Sequence, residues 1–205
     1  MKKWNFRNVK VKKVSIDDLD DRLLLLNLGI TQFLTVLIGI ILLVVQEQNL
    51  RGLFPIKLPD MVLWGGGLAL LVMAADFLVA RVADEEVSDD GGINEMLFGK
   101  RKIWEIAGIS LVVALCEEIL FRGGIQFWLG PYWTSILFAA IHVRYLRHWL
   151  MTGLVFSISY GLGWVYLHTG TLWTPVIAHF LVDFVMGCLI RYRSNKLDDE
   201  EEEEA

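Results

Sequence analysis

The sequence predicts an all-α polytopic membrane protein, a bundle of about six transmembrane segments with both termini in the cytoplasm. Three observations predict it. The 205 residues are 55% hydrophobic, with a mean hydropathy of +0.48, whereas soluble domains run about 45–50% apolar. The apolar residues gather into runs of the length that crosses a bilayer as helix, about 20 residues. Lys and Arg concentrate in segments that fall on one side if those runs alternate, and that side is the cytoplasmic one. The 18 Gly and 8 Trp agree, because membrane helices tolerate Gly and Trp favours the lipid–water interface.

Residues 1–22 are basic and polar, with Lys2, Lys3, Arg7, Lys10, Lys12, Lys13 and Arg22. Leu23 to Val45 is the first span. It is too long for the apolar region of a signal peptide and no small-residue cleavage site follows it, so no cleaved leader is expected. A polar loop with Arg51, Pro55 and Pro59 leads to the second span, Met61 to Ala80. The charged stretch Arg81 to Lys102 completes the unit 23–102, and within it Ile93 to Phe98 has the composition of an interfacial helix.

The third span runs from Ile103 to about Phe127 and ends at Gly130-Pro131. Tyr132 to Val143 is apolar but short. Arg144, Arg147 and His148 interrupt before Trp149 to Leu167, where Gly153, Ser157 and Gly161 recur four apart and allow close helix contact, within the bundle or between copies. His168 to Thr171 is a turn. Leu172 to Ile190 is the last span, with Pro175 in the first turn, where proline is tolerated. These segments make a core unit, 103–191. Residues 192–205 form an acidic tail whose block from Asp198 to Glu204 is expected to be disordered. That block accounts for the net charge of −5. The rest is mildly basic, which suits a multi-pass protein of the cell membrane beside anionic lipid; no nucleic-acid partner is expected. Cys116 and Cys188 both lie in apolar runs and read as small buried hydrophobes.

The chemistry lies in the polar groups inside the spans. An acidic or basic residue at a helix centre costs about 2.5–3.5 kcal/mol, and each Leu, Ile or Val returns only about 0.3–0.6. Glu117, Glu118 and Arg122 therefore face protein or water rather than lipid. Glu118 and Arg122 stand four apart, Glu first, which is the better orientation for an ion pair. Glu117 lies about 100° around the helix, free for another task. Phe138 and His142 share a face, as do His179 and Asp183. At 1.5 Å per residue, Glu117 and His142 lie about 15 Å, and His179 about 10 Å, from the non-cytoplasmic ends of their helices, so these groups fall in one layer. A carboxylate in such a cavity can deprotonate water, with His142 orienting it and His179 stabilising an oxyanion. That set describes hydrolysis of an acyl bond, most naturally a peptide bond presented within the membrane. The plainer reading is a buried ion cluster and a hydrogen-bonded pair that fix packing. A zinc-dependent version also stays open, with His142, His179, Asp183 and Glu117 as ligands, although the His-Glu-x-x-His spacing is absent.

Glu117-Glu118-x-x-x-Arg122, Phe138-x-x-x-His142 and His179-x-x-x-Asp183 together resemble the three motifs of the CAAX protease and bacteriocin-processing (Abi) family, the type II CAAX prenyl endopeptidases. The resemblance covers residues 100–190. It implies an intramembrane glutamate-dependent protease with its site open towards the cytosol, acting on a peptide or membrane-associated protein. In it Glu117 activates water with His142, Glu118 and Arg122 shape the site, and His179 with residue 183 forms the oxyanion site. Eukaryotic-type members resemble one another in having Asn at that last position, whereas this chain has Asp183; an ionised Asp would repel an oxyanion and fits better as the group that orients His179. A non-catalytic immunity or scaffold protein of the same fold and a small proton-coupled transporter are the competing readings.

Overall fold

The structure is a computed structural model that describes residues 21–82 and 92–204. Most of the expected basic N-terminal segment and part of the charged stretch lie outside the described residues. Among the described residues the chain is helical throughout, with no strand. The main helices are α1 (Asp21–Val45), α2 (Gly67–Val82), α3 (Ile93–Phe98), α4 (Ile103–Glu118), α5 (Gln126–Ile141), α6 (Trp149–Thr169) and α7 (Trp173–Glu204). A short helix, Leu58–Asp60, and a π-helical segment, Met61–Gly66, run into α2. A second π-helical segment, Ile119–Ile125, joins α4 to α5.

Among the described residues, four helical runs are long and apolar enough to cross a bilayer: Asp21–Val45, Leu58–Arg81, Trp149–Thr169 and Trp173–Lys196. Ile30, Phe33, Leu34, Ile41 and Val44 of α1 are all exposed, as expected where the surrounding solvent is lipid. Between the second and third of these runs, two arms meet at Gly130. Its φ of 68° and ψ of 173° lie where a Cβ is not tolerated. Pro131 starts the next arm, where its missing N–H is no loss. The break expected at Gly130-Pro131 is therefore a sharp reversal inside one helical run. The returning arm, Pro131 to Ile141, is about 16 Å long, half a membrane. The expected six segments thus appear as four full spans, one ascending arm and one half-span.

Two apolar clusters close the bundle above and below a polar middle. Leu43, Leu53 and Leu172 form one, with Phe54, Ile119 and Tyr166 against it. Leu97, Phe98 and Ile106 form the other, packed by Leu24, Leu28 and Phe184. The expected interfacial helix at Ile93–Phe98 is present as α3 and delivers two of those residues.

α1 presses against the π-helical segment. A Cβ at Gly39 would stand 3.0 Å from the Leu120 backbone, so only glycine permits this approach. Gln46 Nε2 donates to the Gly124 carbonyl at 2.7 Å, and so satisfies a backbone acceptor in the widened turn.

The acidic segment runs on from α7 as helix to Glu204. Extending an existing helix avoids the cost of nucleation, and Glu is a good helix former. Within the small-residue stripe on α6, Gly161 packs against Leu68, while a Cβ at Gly153 would meet nothing within 4 Å, and the Ser157 hydroxyl donates back to the Gly153 carbonyl at 2.7 Å.

Candidate active site

The site is assembled from four elements around the junction of α4 and the π-helical segment. Glu118 closes α4, and Arg122 sits one turn on, within Ile119–Ile125. A π-helical turn inside an otherwise α-helical run often marks a functional position. Here it carries the guanidinium inward. Glu118 is 0% and Arg122 1% exposed. Arg122 Nη1 donates to Glu118 Oε1 at 3.1 Å, and Nε stands 3.1 Å from Oε2. The expected ion pair is thus formed, and it is sealed. A buried pair of this kind is tolerable only when its remaining donors are satisfied. Ser159 of α6 satisfies Nη2, which donates to the Ser159 carbonyl at 2.8 Å and to its hydroxyl at 2.9 Å, while Nε faces Glu118 Oε2 without a well-formed hydrogen bond. The guanidinium carbon also lies 5.1 Å from the Phe138 ring centroid, within range of a cation–π contact.

Glu118 has a second partner. His179 of α7 donates from Nδ1 to Glu118 Oε1 at 2.9 Å, and its Nε2 lies 3.5 Å from Asp183 Oδ2. One helical turn separates His179 from Asp183, so both project into the same side of the bundle. Phe138 of α5 fills the middle. Its ring stacks on His142 at 4.5 Å and meets His179 edge-on at 6.4 Å. His142 ends α5, where its Nδ1 bonds the Phe138 carbonyl at 2.7 Å. A carbonyl only accepts, so Nδ1 carries a proton in this contact.

Glu117 is the remaining member. Its charge neighbours are His179, Glu118 and Arg122, and the Gln32 side chain of α1 lies nearby. The structure therefore gathers Glu117, Glu118, Arg122, His179 and Asp183 directly and brings in His142 through Phe138. Glu117, His142 and Asp183 are half-buried, in contrast to the sealed Glu118–Arg122 pair.

Two contributors were not singled out from sequence. Ser159 is one of two serines on α6. Gln32 is 6% exposed in the middle of an apolar span, and an amide at that depth was the available signal. As for metal, among the described residues no three His, Cys, Asp or Glu side chains stand where they could share an ion. His142, His179, Asp183 and Glu117, left open as zinc ligands, form no such group, and His179 directs its nitrogens at Glu118 and Asp183.

Comparison with known proteins agrees with this picture. The family described as type II CAAX prenyl endopeptidase Rce1-like matches residues 99–185, the stretch that holds every site residue except Gln32. The uncharacterized protein YpbD of Bacillus subtilis (strain 168) is 39% identical over 155 residues, covering 76% of this chain and 82% of its own length. No solved structure matches the chain. Shared motifs, a multi-pass helical fold and a relative of this extent lead to one assignment: the chain belongs to the type II CAAX prenyl endopeptidase-like family of membrane proteins.

Proposed function

We propose that the protein is an intramembrane endopeptidase that hydrolyses a peptide bond with a glutamate-activated water. The observation that carries this reading is the division of labour within one cluster: a sealed Glu118–Arg122 pair holds His179, while Glu117 and His142 stay reachable. A purely structural ion cluster has no need of the reachable pair.

In this reading a water sits between Glu117 and His142. Glu117 takes one proton as general base, and His142 Nε2 accepts a hydrogen bond from the same water and fixes its direction. The water oxygen attacks the scissile carbonyl carbon. The resulting oxyanion accepts a hydrogen bond from His179 Nε2. That nitrogen is free to turn to it because its contact with Asp183 is long, whereas Nδ1 is held by Glu118. Asp183 orients the imidazole and does not touch the oxyanion. The proton held by Glu117 then passes to the amide nitrogen, the C–N bond breaks, and an acid and an amine leave.

The test is cleavage of a quenched-fluorescent peptide library, with and without prenyl groups, by detergent-purified protein. Glu117→Gln is expected to lower turnover by about 10²–10⁴-fold, the usual worth of a general base. Equal cleavage by wild type and Glu117→Gln would overturn the reading. A cellular phenotype that survives Glu117→Gln would favour the immunity or scaffold role instead.

A further inference from the structure

Phe138 is an apolar side chain at the centre of the polar cluster, and no step of the reaction above uses it. It is 4% exposed, on the returning arm of α5. Its ring stacks on His142, with centroids 4.5 Å apart and planes 29° from parallel. Its own carbonyl takes the hydrogen bond from His142 Nδ1 at 2.7 Å. The outer torsion of a histidine side chain is otherwise broad. A hydrogen bond fixes one point of the imidazole, and a stacked face fixes its plane. A flat ring held by a point and a plane cannot turn about Cβ–Cγ without losing one of the two, so the place of Nε2 is set as well. Phe138 is held in turn. The Phe121 ring meets it edge-on at 4.9 Å, the Arg122 guanidinium carbon lies 5.1 Å from its centroid, and His179 meets it edge-on at 6.4 Å. These are arrangements that aromatic rings and cations favour.

We infer that Phe138 is a positioning residue that fixes the His142 imidazole and sets the spacing of both histidines from one ring. This inference rests on the protease reading above. His142 caps the C-terminal end of a half-span, where backbone hydrogen bonding runs out, so side-chain packing has to supply the order that the helix does not. The rigid reference is the sealed Glu118–Arg122 pair, and the Phe138 ring carries that reference across to α5. His179 bonds to the same Glu118 and touches the same ring, so it is registered from the same point. The water held by His142 and the oxyanion received by His179 then keep a constant separation, which a reaction within one site requires. A leucine could fill most of the volume of Phe138 but has no flat face, so filling space does not by itself account for the ring.

The test uses the full chain with Phe138→Leu, which removes the flat face, and Phe138→Tyr, which keeps it. Two measurements separate the inference from the reading beneath it. The chain has four histidines, so protein labelled in the imidazole ring gives a short NMR spectrum in detergent, and His142→Gln assigns the His142 resonance. A stacked phenyl face shields the imidazole protons. In Phe138→Leu the His142 resonance is expected to move downfield while those of His148 and His168 stay, and an unmoved His142 resonance would overturn the positioning contact whether or not the protein cleaves anything. In the cleavage assay, Phe138→Leu is expected to lower kcat about 10–100-fold with KM unchanged, and Phe138→Tyr is expected to keep most of the wild-type rate. Unchanged kcat in Phe138→Leu, or a loss that follows the melting temperature across the two variants, would overturn the positioning role. Absence of Glu117-dependent cleavage in the wild type would count against the protease reading, while the His142 resonance still judges the Phe138 contact.

Discussion

Arg122 is the most demanding side chain in the molecule. Fully enclosed, it places donors on Glu118 and Ser159. Removing it leaves the Glu118 carboxylate buried beside only His179, and breaking a buried pair from one side costs about 3–5 kcal/mol. Arg122→Met is therefore expected to lower the unfolding midpoint in detergent strongly and to abolish cleavage with it. Ser159→Ala keeps the backbone carbonyl that Arg122 also uses, and is expected to cost only about 1 kcal/mol; thermal unfolding of both variants checks the ranking. These two residues also show what was legible. The Glu118–Arg122 pair could be read from the chain because both partners lie on one helix at a spacing that brings side chains together. Ser159 and Gln32 could not, because their partners sit on other helices. Which serine or glutamine turns inward at a given depth is decided by how the helices rotate against each other, and no local pattern records that rotation.

At the scale of the element, the π-helical segment Ile119–Ile125 is the feature that local sequence rules do not announce. Spacing alone predicts a continuous helix from Ile103 onward. The wider turn inside it is sustained by what α1 offers: a glycine that lets backbones touch and Gln46 on the Gly124 carbonyl. Gly39→Val sets a branched side chain against the Leu120 backbone, where nothing can give. It is expected to push α1 away and lower both stability and turnover. Gly29→Ala on the same helix meets nothing within 4 Å and is expected to be harmless or slightly stabilising, since Ala is the better helix former. Melting temperatures of the two variants, measured side by side, separate close packing from a general intolerance of α1. By contrast, the span limits and the interfacial helix Ile93–Phe98 were legible, because hydropathy and length carry them.

For the whole molecule, alternation of the spans would put Asp21 and the end of α7 on the same side of the membrane, and the positive-inside rule predicts that side to be the cytoplasm. Reporter fusions to each terminus are expected to agree with each other and to report the cytoplasm; opposite signals would require an odd number of crossings. The reversal at Gly130 bears on how such a chain is made. Pro131 to Ile141 is too short to be accepted by the insertion machinery as a span of its own. Ile103 to Leu129 carries four charged residues, Glu105, Glu117, Glu118 and Arg122, that weigh against acceptance of it alone. Neither arm is a competent insertion unit, so the two are expected to enter the membrane together as a hairpin, whose charges meet their partners on α6 and α7 only later. The polar layer is thus expected to be assembled late in biogenesis, once the ribosome has delivered the last span.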